Sequence, residues 1–346
     1  MRGAWLSANS IAPLAAIFGC AGESLSEDEC GFFRRVNPLG FILFGRNVRD
    51  PEQVRRLVAE LRASVGRPSA PVLIDQEGGR VQRLRPPHWR QAPSMARFGG
   101  ISDAALALRA ARLNARLLAE DLRTLGIDVD CAPVLDVPAA EAHEVIGDRA
   151  FSRHPDLVAA LGRATCDGLL EGGVLPVVKH IPGHGRALVD SHLQLPTVDA
   201  PVSELRATDF APFRALAQAP WAMTAHVVYT ALDPVNPATT SARVISEVIR
   251  GEIGFDGVLL SDDLSMKALR GDFGERTGAA LSAGCDVVLH CNGDMSEMRA
   301  VAAAARPLTE AARERLVRAD GMRGVPEVID ALAARAMLDG WLGRPA

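Results

Sequence analysis

Eight short apolar runs recur along the 346-residue chain, and segments with helical periodicity separate most of them. The predicted strands cover residues 15–18, 40–44, 71–75, 127–131, 174–178, 221–225, 257–261 and 286–290. Strands that alternate with helices form parallel sheets, because each helix returns the chain to the same end of the sheet. Eight such units predict a single (β/α)8 TIM-type barrel, and an open doubly wound sheet is the alternative.

Helix start and stop signals fall between these runs. Asp50 is a predicted N-cap before Pro51, and Gly66 ends the apolar stripe that follows. Further helices are predicted from Ser102, after Pro155, over about residues 203–216 and in the Ala/Arg-rich tail from about Val301, which we expect to pack on the barrel. No linker or shift in composition divides the chain, which predicts one domain over residues 1–346.

Composition narrows the class of protein. Hydrophobic residues make up 48% of the chain and charged residues 23%, which is typical of a globular protein with a large core. A net charge of −4 provides no basic field for nucleic acid or anionic lipid, so neither is a predicted partner. No apolar run reaches the roughly 18 residues of a membrane span. We expect a monomer or weak dimer.

The six cysteines show neither close pairs nor metal-site spacing, which is typical of reduced thiols and predicts a cytoplasmic protein. Residues 17–20 (IFGC) faintly resemble a lipoprotein cleavage site. Phe18 is bulky for such a site and Pro13 interrupts the apolar segment before it, so a first strand is the preferred interpretation.

The densest chemistry lies in the run 178–185 (VKHIPGHG) and in Asp190 and His192 shortly after it. Pro182 and the two flanking glycines of His184 predict a shaped loop rather than a helix, directly after a buried strand. The end of a buried strand is where α/β folds place catalytic groups. A catalytic or ligand-binding loop is therefore predicted.

This run has three other interpretations. A phosphate-binding loop would need a different glycine spacing and a following Lys-Ser/Thr pair. The side chains of His180, His184, Asp190 and His192 could bind a metal ion, but their spacing matches no known metal motif. A purely structural loop would bury many polar groups without a task. No metal and no cofactor are predicted.

Polar residues also follow the other predicted strands: Asp75, Asp136, Arg149, His226, Asp262 and Asn292. In a barrel these positions converge on one face. Carboxylates, guanidinium and imidazole groups in one pocket suit a ligand with many hydroxyls, such as a sugar. No Rossmann fingerprint or nucleophile elbow competes. Hydrolysis or transfer of a sugar is favoured, with aldol or isomerase chemistry as the alternative.

Four motifs then point to a family: residues 74–81 (IDQEGGRV), 179–185 (KHIPGHG), 190–192 (DSH) and 261–266 (SDDLSM). Together they resemble family 3 glycoside hydrolases, and most of all the single-domain bacterial β-N-acetylhexosaminidases of peptidoglycan recycling. The resemblance runs from about Gly40 to about Asn292. Ile181 departs from it, because these enzymes usually carry Phe there.

The resemblance implies a retaining, two-step hydrolysis of terminal β-linked N-acetylglucosamine from muropeptides. Asp262 would be the nucleophile, and His192 the general acid/base, oriented and charged by Asp190. The sugar-binding positions would be Asp75, Arg83, Arg149, Lys179 and His180, with His184 and His226 in support. Asp262 could instead cap a helix, and Asp190 could cap only its own loop.

The sequence also allows three other functions: a family 3 β-glycoside phosphorylase, a β-glycosidase for another sugar, and a sugar-binding barrel without turnover. The natural aglycone and the preference between N-acetylglucosamine and N-acetylgalactosamine are left open by the sequence.

Overall fold

The predicted (β/α)8 barrel is confirmed in a computed structural model that describes residues 12–141 and 143–343. The strands are β1 (Leu14–Phe18), β2 (Pro38–Leu43), β3 (Val72–Ile74), β4 (Val129–Asp130), β5 (Leu175–Ile181), β6 (Thr197–Val198), β7 (Trp221–Thr224), β8 (Val228–Tyr229), β9 (Val258–Asp263) and β10 (Val287–His290). All except β6 and β8 form the barrel, and these two pair with each other in a small separate sheet. Strand β10 pairs in parallel with β1, which closes the barrel and rules out the open sheet.

The helices lie between and after these strands. They are α1 (Glu27–Val36), α2 (Pro51–Ser64), α3 (Met95–Gly99), α4 (Ala104–Arg123), α5 (Pro155–Glu171), α6 (Val202–Ala207), α7 (Phe210–Ala215), a π-type helix (Val244–Glu252), α8 (Phe273–Ala283), α9 (Met295–Ala304), α10 (Glu310–Gly321) and α11 (Ala331–Leu342). After Val301 the chain completes α9 and forms α10 and α11, and α11 packs against α4. Within the described residues, no helix is long and apolar enough to cross a membrane.

The barrel strands are apolar because both of their faces are covered. Strands β2, β5 and β10 are buried at every position. In a parallel barrel one face of each strand packs in the interior and the other packs against a helix, so the alternation of polar and apolar residues disappears. This is the physical reason that short continuous apolar runs located the strands.

Two strands are longer than predicted, and the extensions carry site residues. Strand β5 continues through Lys179 and His180 to Ile181, so these two predicted loop residues lie in a strand. Lys179 pairs with Met223 of β7 and its carbonyl accepts a hydrogen bond from the Leu135 amide. Strand β9 likewise extends past the predicted end at 261 to Asp263. Main-chain pairing tolerates polar side chains at the strand end, because these point into an open cleft.

Two helix predictions were wrong in detail. The long helix α4 is capped by Asp103, whose carboxylate accepts from the Leu106 amide, and not by Ser102. The predicted helix over 203–216 is two short helices, α6 and α7. Pro212 explains the break, since it has no amide proton to donate to the Thr208 carbonyl and its ring would clash there.

Candidate active site

The carboxyl ends of the barrel strands surround one cleft, and it collects most of the predicted site residues. Seven of the eight line it: Asp75, Arg83, Arg149, Lys179, His180, His192 and Asp262. The eighth, Asp190, lies beside His192 and hydrogen bonds to it. The residues named as site candidates from the sequence are therefore brought together, from five different segments of the chain.

The floor of the cleft is a buried charge cluster, formed by Asp75, Glu77, Arg149 and Lys179. The Lys179 ammonium lies 2.8 Å from Asp75 Oδ1 and 2.7 Å from Glu77 Oε1. Arg149 reaches Glu77 with two nitrogens, Nη2 at 2.8 Å and Nε at 2.9 Å. The side chains of Lys179 and Glu77 are only 2% and 1% exposed. Two cations and two carboxylates thus hold each other in fixed positions.

Mutual attraction in this cluster outweighs the cost of burial. Burial alone raises the pKa of a carboxyl, but Lys179 and Arg83 hold the pKa of Asp75 well below its usual value. For Glu77, burial is likewise outweighed by Arg149 and Lys179, and its pKa is lowered. Burial lowers the pKa of an ammonium, yet Asp75 and Glu77 raise that of Lys179. All of these groups therefore remain charged at neutral pH.

Arg83 extends the cluster towards the mouth of the cleft. Its Nη2 donates to Asp75 Oδ2 at 3.1 Å, and its guanidinium carbon lies 5.0 Å from the centre of the Phe44 ring. Phe44 directly follows β2, and Arg83 comes from the loop after β3. Charge and an aromatic face together fix this side chain from both sides.

Asp262 lies at the end of β9 and is not a helix cap, since the next helix, α8, begins at Phe273 and is capped by Asp272. Its Oδ1 accepts from the Asp263 amide at 2.8 Å. Burial by itself raises the pKa of the Asp262 carboxyl, but His226 and His180 outweigh that effect, so its pKa is lowered. A partly buried, ionised carboxylate at a cleft wall is suited to act as a nucleophile.

His226 supports this strand end rather than the cleft itself. It is buried, and its Nε2 donates to the Asp263 carbonyl at 3.0 Å, while Nδ1 lies 2.7 Å from Thr239 Oγ1. Burial lowers the pKa of His226. The side chain therefore helps to set the direction in which the backbone carries Asp262.

Asp136 organises the segment that contains His180 and His184. Its Oδ2 lies 2.7 Å from His180 Nδ1, and its Oδ1 accepts from the amides of His180 and His184 at 3.1 and 2.7 Å. Burial raises the pKa of a carboxyl, but His180 outweighs it and the pKa of Asp136 is lowered to about 2. A charged Asp136 thus holds His180 against the cleft.

The loop after β5 is shaped as its glycines predict. A Cβ on Gly185 would lie 2.1 Å from the Val137 carbonyl oxygen, so no other residue fits there. Tyr229, buried on β8, donates its hydroxyl to the Gly183 carbonyl. Burial lowers the pKa of His184 to about 4, which leaves this imidazole neutral, and its Nε2 lies 3.1 Å from Ser191 Oγ. His184 thereby links the fixed loop to the segment that follows.

That following segment carries Asp190, Ser191 and His192, and we call it the dyad loop. Asp190 Oδ1 accepts from the His192 amide at 2.9 Å and lies 2.8 Å from His192 Nδ1. The His192 side chain is 63% exposed, so Nε2 is left for the cleft and for water. Burial raises the pKa of Asp190, but its hydrogen bonds from His192 outweigh this and the pKa is lowered. The hydrogen bond between His192 Nδ1 and Asp190 therefore fixes the orientation of the imidazole ring.

Three polar residues that line the cleft were not among the predicted site residues: Glu77, Ser191 and Asp263. All three stand inside motifs that the sequence analysis singled out. A Glu before two glycines is most often a surface residue, and only its pairing with Lys179 reveals its position. The sequence held one signal for a special role of Lys179, and hence for a carboxylate partner: it is one of only two lysines in a chain with 38 basic residues.

In the described part of the chain, no cluster of three or more His, Cys, Asp or Glu side chains could hold a metal ion. Most polar groups of the cleft hydrogen bond to one another or face the opening, whereas Arg83 Nε and His184 Nδ1 are buried and have no hydrogen-bond partner among the described residues. The arrangement can bind hydroxyl groups, present one carboxylate as a nucleophile, and move a proton at His192.

Comparison with known sequences agrees with this geometry. Residues 35–319 match the glycosyl hydrolase family 3 N-terminal domain. A β-hexosaminidase of Aromatoleum aromaticum is 39% identical over 334 residues, which are 94% of this chain and 91% of that protein. A β-hexosaminidase of Alkalilimnicola ehrlichii is 42% identical over 281 residues, or 80% of each chain.

Solved structures of similar proteins have the same fold. NagZ from Neisseria gonorrhoeae, in complex with N-trifluoroacetyl-D-glucosamine, superposes with a TM-score of 0.86 at 34% identity, over 96% of this chain and 99% of that one. A family 3 β-N-acetylglucosaminidase from Paenibacillus sp. superposes with a TM-score of 0.82 at 32% identity, over 94% of this chain and 66% of that one.

Proposed function

This chain belongs to glycosyl hydrolase family 3 and is a β-N-acetylhexosaminidase, and from this premise we propose that it removes terminal β-linked N-acetylglucosamine from peptidoglycan fragments through a covalent glycosyl-enzyme intermediate. The observation that carries the proposal is that the partly buried carboxylate of Asp262 lines the same cleft as His192, whose ring is held by Asp190. A nucleophile and a proton donor in one cleft are what a retaining mechanism requires.

Asp262 and His192 have separate roles in the first chemical step. Asp262 attacks the anomeric carbon while the glycosidic bond breaks, and His192 gives its proton to the departing oxygen. In the second step His192 takes a proton from water, which attacks the anomeric carbon and frees Asp262. Most retaining glycosidases use a second carboxylate for these transfers. Here an imidazole takes that role: it is neutral after the first step, while Asp262 is held in the glycosyl ester, and it can then accept the proton from water.

The buried charge cluster, with Arg83 and His180, is proposed to hold the sugar hydroxyls. Asp75 and Arg149 are 14% and 11% exposed at the cleft floor, which leaves part of each for a ligand. Carboxylate oxygens accept from hydroxyl groups and the cations donate to them. Because every partner is already fixed by an ion pair, little ordering is needed when the sugar binds. These contacts also help the sugar to reach its distorted transition state.

The N-acetylglucosamine preference is supported by the related proteins, since the Neisseria NagZ structure contains an N-acylated glucosamine derivative. The peptidoglycan source rests on the resemblance of the four sequence motifs. A cytoplasmic site of action is part of the same proposal, and six free cysteines fit a reducing compartment. We also propose that the single domain acts as a monomer or weak dimer, without a cofactor.

A trapping experiment tests the mechanism. With 4-nitrophenyl N-acetyl-β-glucosaminide, His192→Ala should form the intermediate quickly, because nitrophenol departs without protonation, and hydrolyse it slowly. Mass spectrometry of the quenched protein should then find one added N-acetylglucosaminyl group, on a peptide that contains Asp262. The same enzyme with Asp262→Asn should show no adduct. An adduct elsewhere, or an equal signal in Asp262→Asn, would contradict the assignment.

Product analysis tests the reaction class. Purified N-acetylglucosaminyl-anhydromuramoyl peptides should yield free N-acetylglucosamine, with or without inorganic phosphate. Accumulation of sugar 1-phosphate when phosphate is present would instead identify a phosphorylase. The reaction with added phosphate is needed because an imidazole acid/base repels phosphate less than a carboxylate does.

A further inference from the structure

Asp263, the residue after Asp262 at the end of β9, is held on several sides. Its amide donates to Asp262 Oδ1 at 2.8 Å. Its Oδ1 accepts from the amides of Ser265 and Cys291 at 3.0 and 3.1 Å. Its carbonyl accepts from His226 Nε2 at 3.0 Å. The residue whose amide contacts the Asp262 carboxylate is thus positioned from behind by an imidazole that does not line the cleft.

The position of the hydrogen on the His226 ring follows from its two partners. A carbonyl oxygen can only accept, so Nε2 carries a hydrogen. Burial lowers the pKa of His226, which leaves the ring neutral at neutral pH, and a neutral imidazole has a single N–H. Nδ1 is therefore an acceptor, and the Thr239 hydroxyl lies 2.7 Å from it. In the part of the chain that the structure describes, Nδ1 has no other hydrogen-bond partner.

Thr239 is fixed in a place from which it can donate. It lies in a short 3-10 helix (Ala238–Thr240) after β8 and is fully buried. Its hydroxyl oxygen lies 2.8 Å from Thr224 Oγ1 and 3.1 Å from the Ala225 carbonyl oxygen. The hydroxyl has one proton, and its contact with His226 Nδ1 is the shortest of the three. Donation to His226 then leaves the oxygen free to accept from Thr224.

We propose that Thr239 is a positioning residue for the nucleophile Asp262. Its hydroxyl holds His226 in the tautomer with hydrogen on Nε2, and this N–H holds the Asp263 carbonyl. The inference rests on the proposed function, because it takes Asp262 to be the nucleophile. The hydrogen bonds begin at Thr224 on β7 and end on β9, which pairs with β7, so they tie two neighbouring strand ends together. Attack on the anomeric carbon requires exact placement of the carboxylate, so a looser strand end slows the reaction.

Nitrogen NMR of the wild-type protein tests the tautomer. The histidines are labelled with nitrogen-15, and the signals missing from His226→Gln identify the His226 ring. Between about pH 6 and pH 8 this ring should be neutral, with hydrogen on Nε2 and with Nδ1 accepting a hydrogen bond. The Nδ1 signal should shift in Thr239→Val, where the donor is gone. A ring with two N–H groups, or with hydrogen on Nδ1, would overturn the inference, because Thr239 would then accept rather than donate.

Kinetics test the effect on the reaction. Thr239→Val should lower kcat on 4-nitrophenyl N-acetyl-β-glucosaminide by about 5- to 50-fold, the range expected for a buried polar group left unpaired. Affinity for N-acetylglucosamine, measured by calorimetry, should stay close to wild type because the buried charge cluster is untouched. Thr239→Ser retains the hydroxyl and should recover most of kcat. The matched control is Thr240→Val in the same 3-10 helix, since its hydroxyl contacts the Pro237 carbonyl at 3.5 Å and not His226.

Several outcomes would overturn the inference. They are wild-type kcat in Thr239→Val, an equal loss in Thr239→Ser or Thr240→Val, and a fall in sugar affinity as large as the fall in kcat. Should Thr239→Val fail to fold, the wild-type spectrum still decides whether Thr239 donates. Failure of the proposed function is seen separately, because the trapping experiment would then find no adduct on the peptide that contains Asp262, whatever the His226 signals show.

Discussion

The buried charge cluster and the dyad loop face the same cleft but are built in opposite ways. Lys179 is 2% exposed and is tied to two carboxylates, whereas the His192 side chain is 63% exposed and is tied to one. In the proposed mechanism the cluster holds one sugar in one position, and its partners are fixed before binding. The dyad loop is proposed to exchange protons with water, which requires an accessible imidazole. On this proposal, burial separates binding from proton transfer.

Asp262 provides the largest test of this division, because it is partly buried at the end of a barrel strand and yet is proposed to react directly with the sugar. Asp262→Asn should lower kcat by roughly 10⁴-fold or more, since an amide cannot form the glycosyl ester. Its thermal unfolding midpoint and its binding of N-acetylglucosamine should stay close to wild type. Steady-state kinetics and calorimetry measure the two quantities. A variant that retained more than about a tenth of kcat would end the nucleophile assignment.

His192→Ala should come next, with a loss of about 10²- to 10⁴-fold on muropeptide, the usual worth of a positioned acid/base. The loss of bond-breaking rate on nitrophenyl substrate should be much smaller, and stability should not change. Asp190→Ala should give a smaller defect, and the double variant should be little worse than His192→Ala, because the two act in series. Additive effects of the two changes would separate Asp190 from His192.

Lys179→Met should lower stability as well as sugar binding, in contrast to the dyad variants, which should leave stability unchanged. Removing the ammonium leaves the buried Asp75 and Glu77 close together with less compensation, which costs about 3–5 kcal/mol. Urea unfolding of Lys179→Met should show this loss of unfolding free energy. The chain's other lysine, Lys267, is exposed, and Lys267→Met is the matched control with almost no expected change. Equal stability of the two variants would show that the cluster is not rigidly held.

Acid unfolding tests Asp136, which holds His180 and His184 between the two regions. The folded pKa of about 2 lies below the ordinary value of 3.8, so this carboxylate stabilises the fold fully above about pH 4. That contribution, about 2 kcal/mol, is lost as the pH falls from about 4 to about 2. Asp136→Asn should therefore be less stable at pH 6 and lose less on acidification. Parallel stability curves for the two proteins would contradict the interpretation.

The smallest expected effect is at the contact between the two regions. Ser191→Ala removes the partner of His184 Nε2, a hydrogen bond worth about 1 kcal/mol, which corresponds to about 5-fold in rate. We expect lower kcat on muropeptide and nearly unchanged KM, because only the placement of His192 is affected. Leu193→Ala, on the same loop and exposed, is the control. A change in KM alone would show that Ser191 acts on substrate binding instead.

The barrel was predictable because burial on both faces leaves a strong apolar signal at each strand. The dyad was also predictable, since Asp190 and His192 are two residues apart and their contact is local. The ends of the strands were less predictable, because Lys179 and Asp262 are polar and yet still belong to strands β5 and β9. Glu77 was missed because its partners Arg149 and Lys179 lie far away along the chain. Long-range ion pairs leave no periodic trace in a sequence.

The buried floor has a consequence for the order of events in a catalytic cycle. Its inner end is formed by side chains with almost no exposure, so a bound sugar exchanges with solvent through the outer end of the cleft. The aglycone, nearest the opening, can leave first, and the monosaccharide can leave only afterwards. Free N-acetylglucosamine should then compete directly with substrate, while free aglycone should not. Only the last sugar of a chain can reach the floor, so a long glycan is shortened from its end, one residue per visit.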